Sequence, residues 1–303
     1  MPRPEVTVLI ATRDRPDQLR QCVKSVIAND HPSFEVIVVE QSDGSNRVGE
    51  IDDERVRVIT TESVGKTRAL NLGLEAALGD VVLFTDDDCT VPSTWITDAQ
   101  RALADDPDVG LMFAPLVAGP HDPAVEWIPA FVPPIRQRVT SVRDYRRLDG
   151  RAGANMVATK AALQRIGPFD PFIGPGSTFS GLEEFDFSYR ALSTGCIVAI
   201  EPWNAVVHWG IRPRDSGDAS RLMSSYSYGE GAVLAKQIRC GDRFLIKPTI
   251  VRLARSVAHA VIAWVRTGTA DGLPQTRSFA RGVAGGLRHP LDRSRRLFLD
   301  RRP

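Results

Sequence analysis

Short apolar, β-branched runs alternate with helix-spaced apolar positions over the first 115 residues. Residues 6–11 are the first such run and read as a buried strand. Pro16 follows, suited to a first helical turn, and Leu19, Cys22, Val23, Val26 and Ile27 then recur at helical spacing. Residues 35–39 predict a second buried strand, which runs into a polar loop over 40–45 with Gly44 at a turn position. Residues 56–59 predict a third strand. Residues 66–78 predict a helix with Gly73 as its weak point and Gly79 as its stop. A strand over 81–85, a helix over 92–103 and a strand over 110–115 complete the series. Strands that alternate with helices predict a Rossmann-like, mostly parallel α/β sheet flanked by helices. Such sheets bind ligands beyond the C-terminal ends of their strands. Thr12, Arg13 and Asp14, then Glu40, then Asp86, Asp87 and Asp88 all fall at that edge.

The pattern weakens further on. Segment 118–150 is rich in Pro and Arg and predicts a long loop near the site. Helices are expected near 160–165 and 184–193, and short strands at 197–200 and 205–207. After Ser220 the chain reads as a mostly helical extension, amphipathic in patches.

Hydrophobic residues make up 43% and charged residues 25% of the 303-residue chain, the balance of a globular protein. The net charge of +1 is unevenly spread. Residues 251–303 hold eleven arginines and no lysine against three aspartates, a net of +8, which leaves −7 on the rest. That asymmetry points to an anionic partner for the C-terminal part. Cys22, Cys89, Cys196 and Cys240 are far apart with no CxxC pair, which excludes a zinc ribbon or redox motif and predicts reduced thiols in a cytoplasmic protein. No apolar stretch of signal-peptide kind opens the chain, and residues 256–265 are too short to span a bilayer.

Four short motifs carry chemistry. Three adjacent carboxylates, Asp86 to Asp88, repel one another just past a strand, and a hard divalent cation such as Mg²⁺ or Mn²⁺ relieves that repulsion. A solvated acidic turn is the plainer explanation of the same residues. In GKTRALNLG (65–73) a helix start presents N–H groups to an anion, with Lys66 or Arg68 adding charge. In GLEEFDF (181–187) Glu183 and Glu184 stand near a helix start, as a candidate general base or as dipole-favoured capping acids. In VVHW (206–209) His208 follows a strand and gains meaning only if it faces the aspartates.

Taken in order, VTVLIATRDRPDQL, FEVIVVEQSDGS, GKTRALNLG, GDVVLFTDDDCTVP, GANMVATKAAL, GLEEFDFSYRALSTG and VVHWG resemble glycosyltransferase family 2, the inverting enzymes of the GT-A fold, over about residues 5–210. The resemblance implies a GT-A catalytic domain over 1–215, with a nucleotide-sugar half to 117 and an acceptor half from 118, and a basic helical extension over 216–303. It implies that Thr12, Arg13, Glu40, Arg68, Asp86 and Asp87 line the donor site, with Glu40 where the family usually has Asp. Asp88, last of the DxD motif, and His208 would hold Mn²⁺ or Mg²⁺. Glu184 falls at the family's catalytic base, usually Asp, and Glu183 at its acceptor-contacting neighbour, so both remain candidates. The implied partners are a UDP-, dTDP- or GDP-sugar and an acceptor hydroxyl such as that of a lipid-linked glycan, in cell-envelope or secondary-metabolite glycosylation. Arg252, Arg255 and Arg266 around the apolar stretch 257–265, with Arg277, Arg281, Arg288, Arg293, Arg295 and Arg296 after it, suit peripheral attachment to an anionic membrane at the inner face of the cell. A solvated basic helix pair explains the same charges, and no nucleic-acid module is present. Two rival readings are a haloacid-dehalogenase-type phosphatase with Asp86 as nucleophile, since residues 84–90 also fit hhhDxDxT, and a nucleotide-sugar-binding protein without turnover. The phosphatase motif usually opens its domain, whereas here three predicted strands precede it. No GxGxxG follows the first strand, which disfavours a dinucleotide oxidoreductase.

Overall fold

Val6–Thr12 (β1) is apolar at nearly every position, and a strand of that kind needs cover on both faces. In the computed structural model of the chain it lies inside an eight-stranded sheet. The structure describes residues 3–49, 51–133, 135–149, 151–202, 204–267 and 272–300. Phe34–Glu40 (β2), every residue of it buried, runs parallel to β1 on one side. Val81–Asp86 (β4) runs parallel on the other, and Val56–Thr60 (β3) extends the sheet beyond β2.

The remaining strands of this part are Cys89–Thr90 (β5), Val109–Phe113 (β6), Leu116–Ala118 (β7), Glu126–Trp127 (β8), Gln137–Val139 (β9), Met156–Thr159 (β10), Ile197–Ile200 (β11) and Val206–His208 (β12). The main sheet has the order β3-β2-β1-β4-β10-β6-β11-β9. β10 runs antiparallel to both neighbours and β9 antiparallel to β11, so the sheet is mixed but largely parallel. A small second sheet, β5-β12-β7, stands beside it.

Helices cover the two faces. Leu19, Cys22, Val23 and Val26 of Pro16–Ile27 (α1) and Trp95, Ile96, Ala99 and Leu103 of Trp95–Asp105 (α3) share one core with Val8, Ile10, Val36, Val38 and Leu83. Successive strand residues point to opposite faces, so Leu9 and Val39 face the other way. There Lys66–Ala76 (α2) packs so closely that a Cβ on Gly73 would run into Leu9 and come within 3.1 Å of Val39. The Trp95 indole N–H donates to Asn155 Oδ1 (2.9 Å), and Asn155 Nδ2 donates to the Pro115 carbonyl (2.8 Å). Lys160–Ile166 (α4) and Glu183–Ser193 (α5) follow.

The segment expected to be one long loop, 118–150, is more ordered than its sequence suggests. It contains β8, β9 and a 3₁₀ stretch, Val142–Leu148, and it buries Ile128, Val139, Tyr145 and Leu148. Strands of two or three residues have no readable period, and β9 is defined by its pairing with β11, some 60 residues away.

The chain forms two compact units: Met1–Phe169 with Phe187–Ile211, and Asp170–Asp186 with Arg212–Pro303. The second holds Asp218–Arg239 (α6), Ile246–Thr267 (α7), Leu273–Arg288 (α8) and the short strands Arg212–Pro213 (β13), Leu291–Asp292 (β14) and Leu297–Phe298 (β15). α6 and α8 meet backbone to backbone. A Cβ on Gly286 would lie 2.7 Å from the Ala232 carbonyl, and one on Gly282 would strike the Tyr228 carbonyl. Between the helices and the 170–186 segment lies a buried ion cluster, in which Lys236 Nζ is 2.7 Å from both Asp170 Oδ2 and Asp186 Oδ1. No described helix is long and apolar enough to cross a membrane.

Candidate active site

β1, β2 and β4 end level with one another, because the register pairs Thr12 with Glu40 and Ala11 with Asp86. Their C-terminal edge therefore brings together strand ends up to 74 residues apart in the chain. Thr12 is buried, and its hydroxyl donates to Asp87 Oδ2 (2.7 Å). Glu40 is buried too and accepts the Val48 N–H (2.7 Å), which closes the loop after β2. Arg13 is exposed, with Nε 3.4 Å from Asp14 Oδ2. Asp14 has a left-handed φ of 58° and donates its N–H to Ser42 Oγ (2.7 Å). Arg15 comes next and donates through Nη1 to Asp87 Oδ1 and Asp88 Oδ2, 3.0 Å each.

The three aspartates point into different surroundings. Asp86 closes β4 and pairs with Lys66 Nζ (2.5 Å) at the start of α2. That helix begins after Gly65 (φ 121°), which as a glycine offers no side-chain cap, and Arg68 is half-buried two residues beyond Lys66. Asp87 is turned inward onto Thr12 and Arg15. Burial pushes its carboxyl above the ordinary range, while Arg15 and Thr12 pull the other way. Asp88 faces His208, with Oδ1 3.3 Å from Nε2. Burial would raise Asp88 as well, but the hydrogen bond and charge of His208, with Arg15 and Lys66, bring it down to about 2.

β12 delivers the histidine. It runs antiparallel to β5 with His208 opposite Cys89, and the Trp209 N–H donates to the Asp88 carbonyl (2.8 Å). His208 Nδ1 lies 2.9 Å from the Pro129 carbonyl, and a carbonyl can only accept, so Nδ1 carries the proton. Nε2 then faces Asp88. Burial opposes the charged imidazole, but Asp88 and the Pro129 carbonyl outweigh it and raise its pKa.

These residues fit a hard divalent cation. Carboxylate oxygen and imidazole nitrogen are suitable donors, and a histidine whose second nitrogen is held by a carbonyl is oriented as a ligand. Gly210 leaves the space beside them open, since a Cβ there would lie 2.6 Å from His208 Nε2 and 3.0 Å from Asp88 Oδ2. Cys89 Sγ is in the same cluster, within 4.8 Å of the other two ligand atoms. Burial, then Asp86 and Asp88, push its thiol well above its usual pKa, and sulfur is a soft donor that suits a hard divalent ion less well than carboxylate oxygen.

Glu183 and Glu184 begin α5 and belong to the other unit. Glu183 is buried and Glu184 half-buried. The turn before them is strained, with Gly181 at φ 82° and Leu182 at φ 63°; a non-glycine residue held there costs on the order of 1–3 kcal/mol. α6 supports this turn at close range. A Cβ on Gly229 would lie 2.5 Å from the Gly181 carbonyl and 2.8 Å from that of Ser180.

Within the first unit, Thr12, Glu40, Asp86, Asp87, Asp88 and His208 thus share one edge, with Arg13 and Arg68 on its loop and helix. Arg15 and Gly210 were missed as site residues. For Arg15 the signal was its place two residues after Arg13 in the same loop. For Gly210 it was a glycine directly after the His-Trp pair.

The sheet order and the arrangement at its edge define a GT-A glycosyltransferase fold. A mannosyltransferase of Pyrobaculum calidifontis, solved with GDP-Man and Mn²⁺, superposes with TM-score 0.59 at 17% identity, over 94% of this chain and 88% of that one. S. aureus TarS, residues 1–349, does so with TM-score 0.58 at 14% identity, over 94% and 81%. The chain belongs to glycosyltransferase family 2, whose model, "Glycosyl transferase family 2", matches residues 7–167. Pre-mycofactocin glycosyltransferase of Mycobacterium tuberculosis is 28% identical over 296 residues, which is 94% of this chain and 57% of that protein. The chain spans about a third to just over half the length of the curated relatives it matches first.

Proposed function

We propose that the protein transfers a sugar from a nucleoside-diphosphate sugar to an acceptor hydroxyl, with inversion and with a divalent cation, in the cytoplasm. The observation that carries this reading is the Asp88–His208 pair at the C-terminal edge of β1 and β4, with Arg15 and Lys66 beside it. Four groups that favour or carry charge within one edge suit a diphosphate and its counter-ion. The four cysteines, all free, accord with a reducing compartment.

Thr12, Arg13, Glu40, Asp86, Asp87 and Arg68 are assigned to the donor. Asp87 acts on it through Thr12 and Arg15 rather than directly, because both its oxygens are already engaged within the protein. Asp88 and His208 are assigned to Mn²⁺ or Mg²⁺, which supplies positive charge where the leaving diphosphate gains negative charge. A carboxylate at the start of α5, Glu184 or Glu183, takes the proton of the acceptor hydroxyl. The hydroxyl oxygen forms the new bond to the anomeric carbon as the bond to the diphosphate oxygen breaks, and in-line attack inverts that carbon. The phosphatase alternative is disfavoured because the chain belongs to glycosyltransferase family 2, whose model spans the Asp86 motif.

Thermal melting against a panel of UDP-, GDP- and dTDP-sugars, with and without Mn²⁺, tests the donor and metal assignments. One nucleotide should raise the melting temperature in the presence of metal, and Asp88→Ala should lose that increment. An increment that is the same without metal and in Asp88→Ala would sink the metal assignment. With the donor identified, Glu184→Gln and Glu183→Gln separate the two candidate bases. Replacing the base should lower kcat by about 10²–10⁴ with the donor-induced shift intact. Retained anomeric configuration in the product, read by NMR, would overturn the displacement mechanism.

A further inference from the structure

The outer face of α7 is more apolar than the face it packs with. Its covered side is made of Thr249 and Ala260, which are buried, and Arg252, Leu253, Ser256 and Ala263, which are half-buried. Arg252 lies on this side, with its guanidinium over the Phe279 ring and 3.4 Å from Glu230. The opposite side carries Ile250, Ala254, Val257, Val261 and Val265 at the spacing i, i+4, i+7, i+11 and i+15, with Val251, Ile262 and Trp264 beside them. All are exposed, Ile250 at 62%, Trp264 at 63% and Val265 at 71%. A helix that keeps small and polar residues inside and sends its bulkier apolar ones to the surface presents a patch that water alone does not favour.

The charges around the patch select what covers it. α7 contains no acidic residue at all. From Arg243 to Leu291 the chain holds eight basic residues against a single acid, Asp271. Lys247, Arg255 and Arg266 are exposed on α7, and Arg277, Arg281 and Arg288 on α8. A second copy of the chain would bring like charge against like. An anionic bilayer supplies both an apolar layer for the aliphatic stripe and negative headgroups for its basic border.

We propose that α7 is an in-plane membrane anchor, whose outer face from Ile250 to Val265 inserts at the headgroup boundary of a bilayer rich in anionic lipid. Arg252 and Arg296 are no part of it. The first is turned inward, and the second is tied to Asp242 Oδ2 (2.5 Å) and Gln237 Oε1 (2.7 Å). The proposal goes beyond the transfer reaction and is independent of it, because its test needs neither donor nor acceptor.

The test is co-sedimentation of the full chain with phosphatidylglycerol–phosphatidylcholine vesicles and with phosphatidylcholine vesicles at low salt. Sedimentation velocity without lipid runs in parallel. The expected result is binding to the anionic vesicles, weakened by salt, with a monomer in solution. Arg255→Gln with Arg266→Gln should weaken partitioning roughly 30-fold, if each basic residue contributes its usual share. Val261→Asp with Val265→Asp should abolish binding. Both positions face water, so the far-UV spectrum and melting temperature of this variant should match the parent. Failure of the parent chain to bind anionic vesicles overturns the proposal. So does a dimer in solution that Val261→Asp with Val265→Asp dissociates, which would assign the same face to self-association.

Discussion

Asp87 and Asp88 are neighbours in sequence with opposite electrostatic outcomes. Asp87 is buried and Asp88 half-buried, and desolvation alone would raise both. Asp88 falls to about 2 because His208 lies against it, while Asp87, helped only by Thr12 and Arg15, stays above the ordinary range. The acidic triplet was legible in the sequence, since it follows a buried strand. The division of labour within it was not, because that depends on His208, 120 positions away. Gly210 leaves room beside the pair, where a Cβ would lie 2.6 Å from His208 Nε2. Its φ is not in the left-handed region, so alanine is conformationally allowed there, and the cost of alanine would come only from its Cβ. Gly210→Ala should therefore abolish the Mn²⁺-dependent rise in melting temperature with nucleotide, and should also lower the metal-free melting temperature somewhat, because the added Cβ displaces the buried His208 ring. Metal-dependent stabilisation unchanged in this variant would show that the open space beside His208 is not where a cation sits.

Elements were read well where they are long and periodic. β1, β2, β3, β4, α2 and α5 lie within about two residues of their expected bounds, because buried runs and helical spacing are local signals. Gly73 shows the limit of such reading. By propensity it weakens α2, and replacing it with alanine in an exposed helix would gain about 1 kcal/mol. In the fold it lets α2 rest on Leu9 and Val39, and an added methyl there overpacks the core at a cost of about 1–3 kcal/mol. Gly73→Ala should lower the urea midpoint, and a raised midpoint would mean that α2 can slide away from the sheet. Gly229, Gly282 and Gly286 act similarly at the α6 contacts, where Cβ atoms would meet backbone.

On the scale of the whole molecule, the chain leaves the first unit at Asp170 and returns at Phe187. Lys236 is what ties this excursion to the C-terminal helices. It is fully buried between Asp170 and Asp186; the Phe298 N–H donates to Asp170 Oδ2 (2.9 Å) and Gln237 Nε2 to Asp186 Oδ1 (3.2 Å). The ion pair by itself is weak evidence of net stability, but removing one partner strands a buried charge. Lys236→Met leaves two carboxylates facing each other and should cost about 3–5 kcal/mol in urea unfolding followed by circular dichroism. Lys236→Arg, which keeps the charge, should cost less, and equal losses would point to packing rather than charge. Asp186 lies two residues beyond Glu184, so loosening this cluster should also disturb the turn that carries both glutamates.

The sequence by itself determined the α/β class, the order of the first strands and helices, and the edge at which the chemistry gathers. Each of these follows from local periodicity or from the rule that parallel strands end together. Family membership was also legible, because seven motifs occur in the right order. Tertiary structure alone decided that Arg15 bridges two aspartates and that His208 meets Asp88. It also decided that segment 118–150 completes the sheet, that Asp170–Asp186 packs with the C-terminal helices, and which arginines of the basic tail face water. Those outcomes depend on pairings between residues distant in the chain. A sequence pattern records which face of an element is apolar, but not which partner that face meets, and in α7 the more apolar face meets none within the described residues.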